Sequence, residues 1–216
     1  MLDADFFGKA AGLVGLVASC VYILAILGRD WKFKKIPAKR RTHPNRATWF
    51  IWALLGIVVV VTYDDSGATD TLWLAKVLAL EYCVTAALSI WYGEGGWTRK
   101  DLVCLSGAGL SASIWWFLES PEVALFAALV VDLFGAVPTI DKAYRHPESE
   151  DRLAWSLTCV SNALNVIALG SWSGVTFAVA MYPVYMLIVN GLITVFLWLP
   201  RHAPIRKRGP HRVRPT

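Results

Sequence analysis

Seven apolar runs, each free of charge clusters and close to the length a helix needs to cross a bilayer, dominate what this chain can fold into. The hydrocarbon core is roughly 30 Å thick and takes about 20 apolar residues. The runs cover residues 8–27, 47–63, 72–92, 102–118, 123–144, 154–170 and 175–199. Short polar or glycine-containing breaks punctuate them: Asp64-Asp65-Ser66-Gly67, Gly93-Glu94-Gly95-Gly96, Glu119-Ser120-Pro121-Glu122 and Ser171-Trp172-Ser173-Gly174. Breaks this short make neighbouring spans antiparallel. With 56% hydrophobic and only 17% charged residues in 216, lipid rather than water is the expected solvent for most of the chain.

Basic residues give the orientation, because positively charged flanks of membrane helices stay on the cytoplasmic side. All but Lys9 and Lys76 of the 21 Lys and Arg residues fall on alternate connections. These are the loop 28–46, Arg99 and Lys100, the turn with Lys142, Arg145 and Arg152, and the tail 201–216. The other connections carry Asp64, Asp65, Asp70, Glu119 and Glu122 and no Lys or Arg. An odd number of spans follows, with the amino terminus outside, the tail in the cytoplasm, and the cell (plasma) membrane as the expected location.

That topology already accounts for the basic segments, so no nucleic-acid partner is expected. Anionic lipid headgroups are the natural neighbours of the basic loop and tail. The start, Met1-Leu2-Asp3-Ala4-Asp5, lacks the basic region of a cleavable signal, so the first span is expected to remain in the mature chain. Cys20, Cys83, Cys104 and Cys159 lie inside spans without CxxC or CxxH spacing, and read as small packing residues. No metal site and no cofactor is expected. Neither Ser-His-Asp, HExxH, Walker nor Rossmann patterns occur, so no enzyme is expected.

An internal repeat organises the spans. His43-Pro44-Asn45-Arg46-Ala47-Thr48-Trp49-Phe50-Ile51-Trp52-Ala53-Leu54 leads into the second, and His146-Pro147-Glu148-Ser149-Glu150-Asp151-Arg152-Leu153-Ala154-Trp155-Ser156-Leu157 into the sixth. Without gaps, His, Pro, Trp and Leu coincide, pairing Trp52 with Trp155. Spans one to three then correspond to five to seven. The fourth inverts the chain so that the two units run parallel, and its Ser106-Gly107-Ala108-Gly109 and Ser111-Ala112-Ser113 offer a small-residue face for packing. The expected architecture is an all-α membrane protein with seven transmembrane helices arranged as 3+1+3: two parallel three-helix bundles and a linker helix. By residue these are a first unit at 1–98 with the basic loop 28–46, a linker at 99–121, a second unit at 122–200 and a basic tail at 201–216 expected to be disordered.

Ionisable groups at membrane depth cost some 2.5 to 3.5 kcal/mol on insertion scales, so each needs a partner, a cavity or a job. Lys76 can snorkel outward along its long stem. Glu81 and Asp132 lie near the middle of the third and fifth spans. Both read either as structural struts, ion-paired for example with Lys76, or as proton-coupling groups, since a carboxyl removed from water holds a proton more readily. Asp132 is the better coupling candidate, being in the span whose Pro138 permits bending and marks a hinge. Asn162 and Asn165, three apart, share a helix face, and Asn190 lies in the seventh span. Their amides can glue helices together or orient a solute. Trp155, two turns before Asn162, adds an aromatic wall, and Trp52 and Trp155 read either as packing or as quasi-symmetric pocket walls. Most of the eleven tryptophans sit at span ends as interfacial anchors. His43 and His146 precede prolines and suit helix starts better than a pH-sensing role.

The segment Asp132-Leu133-Phe134-Gly135-Ala136-Val137-Pro138-Thr139-Ile140, followed by Lys142-Ala143-Tyr144, resembles the proline-containing end of the first helix in the PQ-loop and SWEET-like transporter superfamily. Pro138-Thr139 stands where Pro-Gln is typical. The corresponding Tyr22-Ile23-Leu24-Ala25-Ile26-Leu27 has no proline and leads into a longer basic loop. The resemblance implies duplicated three-helix bundles joined by a linker and a midplane pocket walled by tryptophan and asparagine. The expected function is movement of a small polar solute (a sugar, amino acid, nucleoside or vitamin-like molecule) by alternating access, with proton coupling as an option. Trp52, Trp155, Asn162 and Asn190 are the expected substrate-binding residues. The alternative is a non-transporting, receptor-like protein that holds a ligand. A homo-oligomer stays open.

Overall fold

A computed structural model describes residues 3–37, 41–95, 120–170 and 175–199, with scattered positions between 99 and 117. Among the described residues there are six α-helices: α1 (Ala4–Ile26), α2 (Arg46–Asp65), α3 (Leu72–Tyr92), α4 (Pro121–Arg145), α5 (Arg152–Ile167) and α6 (Phe177–Trp198). A 3-10 turn, Pro147–Ser149, joins α4 to α5, and two isolated bridges, Arg29 with Lys35 and Asn45 with Glu94, are the strand-like pairings described. The tail 201–216 lies outside the described residues, as does most of the expected span at 102–118; the positions described there are helical.

Helix starts are written locally. Asp3, Asn45, Asp151 and Thr176 each accept a hydrogen bond from the backbone N–H three residues on, capping α1, α2, α5 and α6. Ser120 does the same for α4, where Pro121 occupies the first turn. α1, α2, α3, α4 and α6 are long and apolar enough to cross a membrane. Their outward faces carry stripes of large apolar side chains at helical spacing. Leu54, Ile57 and Val61 are exposed on α2, Leu80 and Val84 on α3, and Phe126, Val130, Leu133 and Val137 on α4. Apolar surface on this scale needs lipid rather than water against it. The polar residues are inside: Ser19, Glu81, Thr85, Asp132, Ser161, Asn162, Asn165 and Asn190 are buried.

Packing is duplicated. α3 lies against both α1 and α2, and α6 against both α4 and α5. Between these two units α1 packs on α5 and α2 on α4. Exchanging α1 with α4, α2 with α5 and α3 with α6 maps each of these neighbour pairs onto another. Close approach in the first unit depends on glycine: a Cβ at Gly8 would collide with the Asp70 carbonyl oxygen, and one at Gly15 would press on the Leu74 side chain.

Both units run in the same direction. The start of α1, the turn 66–71 and the start of α6 meet at one end, where Ala4, Asp70 and Thr176 line a common cleft of about 320 Å³. This is the acidic end. At the opposite, basic end the His43 N–H donates to the Ser149 carbonyl at 3.4 Å, the Glu94 N–H to the Pro44 carbonyl at 3.0 Å, and Lys142 pairs with Glu94 at 2.8 Å. α3 therefore finishes at the basic end, whereas α4 starts at the acidic one.

The helix caps correct the register of the repeat. Counted from Asn45 and Asp151, Arg46 aligns with Arg152 and Trp49, not Trp52, with Trp155. The second unit holds three more residues between its His-Pro and its cap, taken up by the 3-10 turn of 3 residues. An ungapped comparison slides past that insertion.

Candidate functional site

Between the two units, from the middle of the bundle toward the basic end, lies a cavity walled by aromatic rings and one carboxylate. Tyr22 of α1, Trp49 and Trp52 of α2, Glu81 and Tyr82 of α3, Trp155 and Thr158 of α5 and Asn190 of α6 line it. α1 and α5 meet there across the unit boundary, and α2 brings its first two turns alongside. The rings form one connected cluster: Tyr22 to Trp49 and Trp49 to Trp52 are 5.1 Å apart, Trp52 to Tyr82 is 5.6 Å, and Trp52 to Trp155 is 6.5 Å between centroids. Edge-to-face and tilted pairs at such distances hold the walls beyond what burial alone gives. Free volume is about 20 Å³, room for about one water molecule. The bundle is closed around its site.

Glu81 reaches this cavity and accepts a hydrogen bond from Ser19 Oγ at 2.8 Å. Among the described residues no Lys, Arg or His lies within ion-pair distance of it. Lys76 sits on the exposed face of α3, so the strut between Lys76 and a buried acid is not formed. Several polar atoms buried in the cavity wall or one or more turns beyond it have no hydrogen-bond partner among the described residues. They are the Trp52 indole Nε1 in its wall, Thr85 Oγ1 one turn beyond Glu81, Asn162 Oδ1 one turn beyond Thr158, and both side-chain heteroatoms of Asn165. Native proteins leave few such atoms, and a water or an ion is a common partner of those left over.

The expected site residues divide. Trp52, Trp155, Asn190 and Glu81 come together in this cavity. Asp132 does not; it lines a separate cleft of about 10 Å³ with Tyr182 and Met186, and Tyr82 forms a wall of both. Tyr185 donates to Asp132 Oδ2 at 2.6 Å. Each unit thus has one buried carboxylate bonded to a hydroxyl between its first and third helices, with donor and acceptor exchanged: Ser19 on α1 to Glu81 on α3, and Tyr185 on α6 to Asp132 on α4. Asn162 is fully buried on the α5 stripe that continues from Thr158, and its Nδ2 donates back to the Thr158 carbonyl at 2.8 Å. Asn190 likewise donates to the Met186 carbonyl. Pro138 lies inside a continuous α4, and a second in-helix proline, Pro183, is buried in α6.

Sequence reasoning missed what closes the cavity. Glu150, next to the cap of α5, is buried, and its Oε2 accepts from Tyr22 Oη and Trp155 Nε1, both at 3.0 Å. Its Oε1 pairs with Lys142 at 3.1 Å, and Lys142 also reaches Glu94 and donates to the His43 carbonyl. This network ties α1, α4, α5 and the ends of both basic loops across the mouth of the cavity. In a turn containing Glu148, Glu150 and Asp151, nothing in the sequence separates Glu150 from its solvated neighbours. Among the described residues no cluster of three or more His, Cys, Asp or Glu is placed to hold a metal ion.

Compared with known families, with curated proteins and with solved structures, the chain matches none.

Proposed function

We propose that this protein carries a small polar solute across a membrane by alternating access, with the cavity between its two three-helix units as the transport site. The duplicated packing carries this reading. Two similar units in parallel, meeting at α1 with α5 and α2 with α4, can rock against each other about a site held between them. Trp52, Trp155 and Asn190 line that site, with Asn162 one turn beyond it. Asp132 and Glu81 are the proton-coupling candidates, and Pro138 and Pro183 relax α4 and α6 in the second unit.

The same reading returns the chain across the bilayer between α3 and α4 through a linker span, giving seven spans as 3+1+3. Positive flanks then put the basic end in the cytoplasm and the acidic end outside the cell. This layout is similar to that of the PQ-loop and SWEET-like superfamily. A second reading, a protein that binds a ligand without moving it, draws support from the Glu150–Lys142 network closing the basic mouth.

The test is uptake into proteoliposomes holding the full chain, with a panel of sugars, amino acids, nucleosides, vitamins and amines at two external pH values. Saturable, protein-dependent flux of at least one solute is expected. Saturable binding without flux would replace transport by the second reading.

A further inference from the structure

We infer that the cavity is built for a small organic cation, whose ammonium group lies against Glu81 inside the box of Trp49, Trp52, Trp155 and Tyr22. The cavity as it stands holds about one water, so binding requires the two units to part around the ligand; the exchange described below rests in addition on the transport reading.

Charge balance leads there. A carboxylate buried in a membrane without a positive partner is costly, so Glu81 must carry either a proton or a bound cation. Among the described residues the neighbouring elements supply no cation. α1 presents Ser19 and Tyr22 to it, α2 presents Trp49 and Trp52, α5 presents Trp155 and Thr158, and α6 presents Asn190. On α3 itself Tyr82 is the titratable neighbour, and Asp132 lies beyond that ring in its own cleft. At the basic mouth Lys142 is already held between Glu94 and Glu150, and Arg46 by the Ser89 and Gly95 carbonyls.

The walls fit the same ligand. Aromatic faces, tryptophan best, attract cations within about 6 Å of the ring centroid, most strongly where water is excluded. Three indoles and two phenols around one acid form such a cage. A site for a neutral sugar needs many free side-chain donors and acceptors in its wall, yet here the Trp155 indole is bound to Glu150, the Asn190 amide donates within its own helix, and the unpartnered atoms of Thr85, Asn162 and Asn165 lie a turn or more outside the wall. Among the described residues the Trp52 indole N–H is the buried wall donor without a partner, so the fitting ligand is an ammonium that also carries an acceptor oxygen. Binding such a cation releases one proton from Glu81, leaving the charge of the site unchanged. Proton and solute therefore take turns on one carboxyl, and the solute moves in exchange for a proton.

The experiment is titration of the purified full chain in lipid nanodiscs, read by tryptophan fluorescence. The probes are methylammonium, tetramethylammonium and choline, with 3,3-dimethylbutan-1-ol as the uncharged isostere of choline. Expected results are saturable quenching by choline but not by the isostere, and affinity falling about tenfold per pH unit on the acid side for one competing proton. Release of about one proton per choline into weak buffer follows from the same linkage. Glu81→Gln should abolish the response. Trp52→Phe, which keeps an aromatic face, should weaken it by about two- to thirtyfold and covers the case in which Glu81→Gln does not fold. Equal binding of choline and its isostere, pH-independent affinity, or no response to any ammonium probe would each overturn the inference. Flux of neutral solutes without cation binding would remove the cation and leave transport standing, whereas pH-linked cation binding without flux would do the reverse.

Discussion

Replacing Glu150 by Gln tests whether the basic mouth is held by a buried charge or merely by packing. The Glu150 side chain is 2% exposed and Lys142 10%, so their ion pair is little screened. Glutamine keeps the shape and one acceptor oxygen but not the charge. Hydrogen bonds to charged groups are worth about 1.5–3 kcal/mol and neutral ones about 0.5–1.5, so the bonds from Tyr22 and Trp155 each lose about 1 kcal/mol. Lys142 keeps Glu94 at 2.8 Å, which limits the cost of its lost partner to about 1 kcal/mol more. The total is about 3 kcal/mol. Lys142→Met should cost a similar amount, because it leaves Glu150 buried without its cation. The double variant should cost about 4 kcal/mol rather than the sum of about 6, since neither charge is then left buried without its partner while the bonds from Tyr22 and Trp155 stay weakened. Reversible unfolding of the four proteins in one detergent should therefore give a coupling of about 2 kcal/mol. Additivity within about 0.5 kcal/mol, or a Glu150→Gln cost below that figure, would show that the network holds nothing shut.

Other substitutions separate structural from functional roles. Trp52→Phe removes an indole N–H that has no partner among the described residues, so unfolding should shift only by the lost ring volume, about 1–2 kcal/mol, while ligand binding weakens. Gly8→Ala places a methyl against the Asp70 carbonyl oxygen; overpacking of about 1–3 kcal/mol should outweigh the roughly 1 kcal/mol of helix propensity gained, read as a lower unfolding midpoint. Asp151→Ala removes the cap of α5 and should cost about 1 kcal/mol in the same measurement. Asp132→Asn should change the pH dependence of flux and leave the solute KM alone, because Asp132 lies outside the aromatic cavity; an unchanged profile would confine Asp132 to its bond with Tyr185.

Apolar run length carried most of the fold. The run at 72–92 coincides with α3, and those at 8–27 and 123–144 fall within four residues of α1 and α4, because lipid-facing stripes and capping residues are local properties. The repeat was legible through His-Pro and tryptophan, but its register was not, since a three-residue turn changes alignment without changing hydropathy. Trp52, Trp155 and Asn190, expected with Asn162 as substrate-binding residues, and Glu81, expected with Asp132 as a coupling candidate, stood out because polar and aromatic residues at membrane depth need a reason to be there; that Glu81 joins the rings while Asn162 lies a turn beyond them did not. Asp132 met the same criterion, yet depth along a helix does not say which side of Tyr82 a residue faces. Glu150 was invisible for the opposite reason: its burial comes from Tyr22 and Lys142, 128 residues before and 8 before it, and no local pattern encodes that meeting.

Alternating access is tested most directly at Thr158, which lines the cavity. In a full chain whose native cysteines are replaced by serine, Thr158→Cys is labelled with a membrane-impermeant thiol reagent from each side of sealed vesicles, with and without Glu150→Gln. The expected result is that opening the basic mouth speeds labelling from the basic side and slows it from the acidic side. Rates that rise together, or no labelling from either side, would contradict a site that faces one side at a time.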